Sequence, residues 1–499
     1  MTRKTHIFVT GLLLLTALGG APARGYEAAS THAGMTERAA LHGNLLHLYL
    51  TSVHGLPLGI FEPVRLDLGR LGYLQREDLR QAFGALDPLK GYRPTAKNIN
   101  RALAWLAAGS VVEEMPFSRG RHHFLDPRTG RGLHNAKGRW GLSLRMRLVD
   151  STDGGGSFGG IWTGANFNLN GKSVLTWARY KNNDLSLPRH LTHRLAALTA
   201  RTPAARHHHL AAALLTAGAL LHLLQDMAVP AHVRNDFART YLARRSNIEV
   251  DRSSAYETLV RRRYGRSGIP KASGTIPAFS RFDDFFKNTR GTGLAQRTQR
   301  NHYSLGSLPK PVGLSRSMTS TDVHAAVRKA TKIPGPPIKG LRLRSASGAG
   351  LYYGTRSNPY LFAYRVTSTG RLDFTLDNRC YKAAAKRLVP EAVRYSAGIL
   401  AHLLRGRVAL RRQGTRVNAK HSGPALGAGT LTVLWDDAKG RRTRLAKTAT
   451  RPGLKPGAPL TSVDLARVPK GARQVVIAWS GVDALGEPLV MGGRLRLSR

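Results

Sequence analysis

Apolar side chains recur with the helical period up to Arg405 and take up the strand period beyond Arg407. In the first part, Leu41, Leu45, Leu46, Leu48 and Leu50 predict a helix over 31–54. Further helices are expected over 75–86, 98–112, 173–181, 188–199, 254–263, 321–332 and 378–405. The longest apolar run predicts a central helix over about 204–227. Pro230 disfavours the helical conformation at Val229 and should end it. Pro390 inside the last pattern marks either a kink or the meeting of two helices. Residues 151–171 are Gly- and Asn-rich and aperiodic. Residues 267–277 and 332–347 read as long surface connections. After Arg407, 430–435, 441–446, 474–480 and 489–497 alternate as strands, with turn chemistry at 436–440. The expected fold is mainly α, a helical domain over 26–407 followed by a small β-sandwich-like domain over 408–499.

The first residues read differently. Arg3 and Lys4 precede the apolar run 7–18, and small residues follow at Ala21, Ala23 and Gly25. This is the grammar of a signal peptide over 1–25, cleaved after Gly25 or after Ala23, so the protein is expected to be secreted or periplasmic. A single cysteine, Cys380, excludes an intrachain disulfide and reads as a buried small side chain, not a nucleophile.

Charge adds a partner class without choosing within it. Lys and Arg number 77 against 29 Asp and Glu, a formal net charge of +48. Such a surface attracts anionic membranes or nucleic acid. The basic residues are dispersed without a basic–aromatic repeat, a pattern that a compositional bias toward Arg produces equally well.

The candidate chemistry centres on LLHLLQDMAVPAHVRND. His222 and Asp226 stand at i and i+4 on one helical face, and His232 follows the Pro230 break. Two imidazoles and a carboxylate on an apolar wall need compensation, and a metal ion supplies it. Upstream lie Glu113 and Glu114, then His122 and His123 before Phe124-Leu125-Asp126-Pro127. Either acid and either histidine of these pairs is a candidate to face inward. Asp126 reads as the organiser of its turn. His32 opens the first helix. His207, His208 and His209 are consecutive on a helix, point in different directions, and read as helix-start or surface residues.

His222-x3-Asp226-x5-His232, the HFLDPRTG segment at His123 and TH-x3-TERA at His32 resemble the zinc-dependent phospholipase C and single-strand-specific nuclease superfamily. The resemblance covers about 26–405. It implies a helical fold with a cluster of zinc ions, two of them expected and the third uncertain. It implies Tyr26 as the mature N-terminus, ligating through backbone atoms, with His32 beside it. Asp226 would bridge two ions, with His123, His222 and Glu114 completing the second site. His232 and Glu257 would serve a third. There the family's second histidine falls on Ser253, and Asp236 or Asn235 are the possible substitutes. Glu114 and Asp226 would be the catalytic acids. The implied function is a secreted phosphoester hydrolase of the phospholipase C type acting on phospholipid. An extracellular nuclease, or a non-catalytic surface-binding protein with a structural zinc, are the alternatives.

Overall fold

A computed structural model describes residues 28–70, 73–86, 99–115, 117–134, 137–139, 166–168, 170–236, 254–272, 274–313, 342–346, 350–354 and 358–497. The expected signal peptide, Tyr26, Ser253, the helix at 321–332 and most of 151–171 lie outside these residues. Helices α1 (Ala33–Leu41), α2 (Leu45–Tyr49), α3 (Tyr73–Leu86), α4 (Ala102–Val112), α5 (Val174–Arg179), α6 (Leu187–Thr199), α7 (Pro203–Gln225), α8 (Ala255–Tyr264), α9 (Leu294–Asn301) and α10 (Asn378–Leu403) build the first part. Two short strand pairs lie among them, β1 (Pro63–Arg65) with β2 (Ile99–Arg101) and β3 (Lys137–Arg139) with β4 (Asn166–Asn168), and a β region starting at Arg407 follows.

The pair α4 and α7 forms the middle of the core. Every residue of α4 is buried, as is α7 from Leu210 to Gln225. Thr202 caps α7 by accepting from the Ala205 amide, and Pro203 stands in its first turn. Small residues let the two backbones touch. A Cβ on Gly109 would lie 2.0 Å from the Leu215 carbonyl oxygen, and one on Gly218 would lie 2.0 Å from that of Leu106. Valine at Gly218 is expected to lower the unfolding free energy by about 3 kcal/mol. A urea midpoint unchanged by Gly218→Val would refute this close crossing.

Three expectations are corrected here. The helix predicted over 31–54 is interrupted: Gly43 (φ 69°) and Asn44 (φ 57°) adopt left-handed conformations that glycine and asparagine tolerate best. The break buries Leu46 and Leu50 and leaves Leu41, Leu45 and Leu48 exposed. Next, of the two readings at Pro390 a meeting of two helices is excluded, because α10 is one continuous helix through it. The carbonyl that loses its partner belongs to Lys386, an exposed position, where water can take the bond. Lastly, 332–347 is not all connection. Arg342–Ala346 pairs in an antiparallel five-stranded sheet, in the order β5 (Val312–Gly313), β9 (Arg371–Thr375), β8 (Phe362–Val366), β7 (Gly350–Gly354), β6 (Arg342–Ala346). Its own small core joins Tyr353, Phe362, Tyr364 and Leu372. Cys380 is buried, and burial pushes its thiol up to about 12, as suits a packing residue.

Beyond Arg407, one sheet pairs β10 (Arg407–Gln413), β11 (Arg416–Ser422) and β14 (Pro459–Asp464). The other has the order β13 (Arg442–Thr450), β12 (Leu426–Asp436), β15 (Gln474–Asp483), β16 (Pro488–Arg496). Inward residues of both, such as Val417, Val463, Ile477 and Trp479, share one core. The opposite face is not free. Leu434, Val476, Ala478 and Val490 join the helical core, and buried Arg194 of α6 donates to the Val490 carbonyl at 2.9 Å.

Candidate metal centre

Asp226 is the C-cap of α7 and begins a short 3-10 turn ending at Ala228. Val229 is extended (φ −96°, ψ 116°) before Pro230, and the chain turns to present His232 on the same side. The crossing with α4 brings the Ser110 carbonyl to His222 and delivers Glu113 and Glu114 from the end of α4. His32, just before α1, reaches the centre from a third direction.

These elements converge on one carboxylate. Oδ2 of Asp226 lies 2.8 Å from His123 Nδ1, 3.2 Å from His222 Nε2 and 3.6 Å from His232 Nδ1. Oδ1 lies 3.3 Å from His32 Nε2. All five side chains are buried, yet neither Asp226 oxygen has a well-aligned hydrogen bond among the described residues. Burial alone would raise the Asp226 carboxyl. The imidazoles of His232, His222 and His123 outweigh it and hold the group well below the usual carboxylate range. For His123, burial opposes the charge, but Asp226 and Glu113 on its two sides push it up to about 9.

The tautomers follow from fixed acceptors. His222 Nδ1–H donates to the Ser110 carbonyl at 2.6 Å, so its Nε2 carries a lone pair. The Gln225 amide donates to Thr36 Oγ1 and Ser396 Oγ, which turns its oxygen to His32 Nδ1 at 2.7 Å. His32 Nε2 is then also a lone pair. His232 Nδ1–H donates to the His123 carbonyl at 3.1 Å, and its Nε2 faces Glu257 Oε1 at 3.7 Å. Lone pairs and carboxylate oxygens thus crowd around His123 Nδ1, 2.8 Å from Asp226 Oδ2 and 3.3 Å from His222 Nε2, and a cation in place of its proton would relieve the same repulsion. A carbonyl that anchors the outer nitrogen of a ligating imidazole is the usual second layer of a metal site. Among the described residues, two buried groups could hold an ion: His32, His222 and Asp226, and Glu114, His123 and His222. His222 belongs to both and stacks on His32 with ring centroids 3.8 Å apart.

The paired alternatives separate. Glu113 accepts from Arg119 at 2.6 Å and from Trp177 Nε1 at 2.7 Å. Burial opposes its charge, but Arg119 and His123 overcome this and lower it to about 2. Glu114 stands 3.9 Å from His222 Nε2. His122 turns away, accepting from the Lys172 amide at 2.8 Å and stacking on Trp177. Asp126 organises its turn by accepting from the Arg128 amide at 3.0 Å. On α7, His208 accepts from the Asp67 amide and is buried, where a surface residue was expected.

On the third side, Glu257 Oε2 closes the capping box of α8 by accepting from the Ser254 amide at 2.7 Å, and its other oxygen faces His232. Asp236 accepts from the Gly306 amide at 2.6 Å, and Asn235 is tied to the His134 backbone, so neither is placed as the substitute ligand. A small dent, with room for little more than a water molecule, abuts this side, lined by Pro230, Ala231, Ser254, Tyr256, Tyr303 and Tyr381. Sequence reasoning missed Gln225, Arg119 and Trp177. Gln225 had a signal, a polar residue inside an apolar helix; the other two had none.

No family model and no curated protein matches the chain. Among solved structures, the alpha toxin from Clostridium absonum is similar at 12% identity over 96% of each chain, with a TM-score of 0.28. A Clostridium perfringens alpha-toxin from an avian strain is similar at 11% identity over 95% of this chain and 100% of its own, also with a TM-score of 0.28. At that level of overlap the likeness carries no argument.

Proposed function

We propose that the chain is an exported, zinc-dependent phosphoester hydrolase of the phospholipase C type. The buried Asp226, ringed by imidazoles whose tautomers are set by outer acceptors, carries this reading. Asp226 would bridge two ions, with His32 and the mature N-terminus on one and His123, His222 and Glu114 on the other. His232 and Glu257 would hold a third where it binds. Bound zinc supplies a Lewis acid for phosphoryl oxygens and lowers the pKa of a water ligand. Glu114 takes up the proton as general base, and Glu113, held by Arg119 and Trp177, keeps His123 in place. The net charge and the exposed Leu41, Leu45, Leu48, Leu58 and Phe61 suit an anionic lipid surface.

Metal analysis and N-terminal sequencing of the exported protein, with three substrates, test this together. Two or more zinc ions per chain, a new N-terminus at Tyr26 and release of phosphorylated head group from vesicles are expected. Faster cleavage of single-stranded DNA than of lipid would make the chain a nuclease. One zinc ion and no cleavage of bis(p-nitrophenyl) phosphate would leave a surface-binding protein with a structural metal.

A further inference from the structure

A second group of imidazoles lies in the hairpin of α6 and α7, away from Asp226. His193 on α6 and His209 on α7 face each other with their Nδ1 atoms 3.2 Å apart and ring centroids 5.4 Å apart. His209 precedes His222 by thirteen residues on one helix, a separation of about 20 Å. Both rings are half-buried, and neither forms an ion pair among the described residues. Two nitrogens bound to one tetrahedral zinc at about 2.0–2.1 Å stand roughly 3.3 Å apart. The observed Nδ1–Nδ1 spacing matches that distance.

We propose that His193 and His209 form a second, two-imidazole site for a borderline transition ion such as Cu²⁺, Ni²⁺ or Zn²⁺, with water completing its coordination. Both rings are neutral at pH 7: burial, then the neighbouring His209 and His208, lower His193 to about 4, and burial, then Arg70, lowers His209. Their lone pairs are therefore available. Arg189 and Arg70 disfavour any cation held by charge alone, so ligand softness must select the ion, which excludes Mg²⁺ and Ca²⁺. His208 is a wall of the site and not a ligand, because its Nδ1 already accepts from the Asp67 amide. The bound ion clips α6 to α7, the helix that ends at Asp226.

The test uses the full chain pre-equilibrated with zinc, then titrated with Cu²⁺ and followed by calorimetry and electron paramagnetic resonance. One additional Cu²⁺ per chain is expected, with hyperfine structure from two imidazole nitrogens. His193→Ala and His209→Gln should each abolish that binding event, while His222→Ala keeps it and Mg²⁺ produces none. Circular dichroism establishes that each variant is folded. A His209→Gln chain that takes up the same ion with the same spectrum overturns the proposal. So does a wild-type chain that takes up no further ion, which would make the contact a simple N–H···N bond. Neither readout depends on phosphoester hydrolysis, so the two readings stand or fall separately.

Discussion

An Asp226→Ala chain is expected to lose phosphodiester hydrolysis by on the order of 10³-fold or more, equivalent to roughly 4 kcal/mol of barrier. It should also lose the zinc of the centre, keeping at most one ion at the separate His193–His209 pair. The reason is geometric. His32 and His123 come from two separate stretches of chain and His222 and His232 from a third, and among the described residues Asp226 lies within 3.6 Å of a nitrogen of each. Removing it takes away both candidate bridging oxygens and leaves only neutral ligands and Glu114. The fold should persist, because α7 is held by apolar contacts and by its crossing with α4. Asp226→Asn separates charge from shape: it keeps the volume yet should lose the zinc as well. Hydrolysis within tenfold of the parent, at full zinc content, would remove Asp226 from the centre.

The second large effect is acid lability, from histidines outside the centre. His190, His302 and His402 are buried, and each is lowered to about 3. Burial is the main cause in all three. Arg194 adds to it at His190, Arg387 and Arg234 at His302, and Arg405 at His402. In the unfolded chain each titrates near 6.5, so below that pH the unfolded state binds more protons than the folded state. The stability these groups contribute is complete above pH 6.5 and is lost as the pH falls from 6.5 toward 3. Each titrating group contributes a slope of about 1.4 kcal/mol per pH unit, or about 4 kcal/mol per unit for the three. Urea midpoints of the zinc-free chain should be flat above pH 7 and fall steeply below pH 6. His302→Gln should reduce the slope by about 1.4 kcal/mol per pH unit. A midpoint constant from pH 7.5 to pH 5 would contradict this account.

The centre was legible in the sequence wherever its parts share an element. The i, i+4 pair of His222 and Asp226 and the Pro230 break are local facts, and the structure brings both histidines to Asp226. Glu113 and Glu114 were not separable, since adjacent residues differ only in the direction the chain leaves α4. Arg119 and Trp177, 6 and 64 residues away from Glu113, made that choice. The five-stranded sheet over 312–375 went unpredicted, although the turn at 367–370, with Gly370 at φ 70°, carries a hairpin signal. Its strands are too short to show a clear period.

What the sequence determined by itself is what hydrophobic spacing encodes: the long apolar helix, its break at Pro230, and the strand alternation beyond Arg407. Backbone hydrogen bonding and burial act over a few residues there, so the pattern is sufficient. The tertiary structure alone decided which polar groups meet. The glycine crossing of α4 and α7 carries Ser110 to His222, Gln225 orients His32, and Arg194 joins the last helices to β16. Those contacts span tens to hundreds of residues, and their energies depend on a geometry that no local window contains.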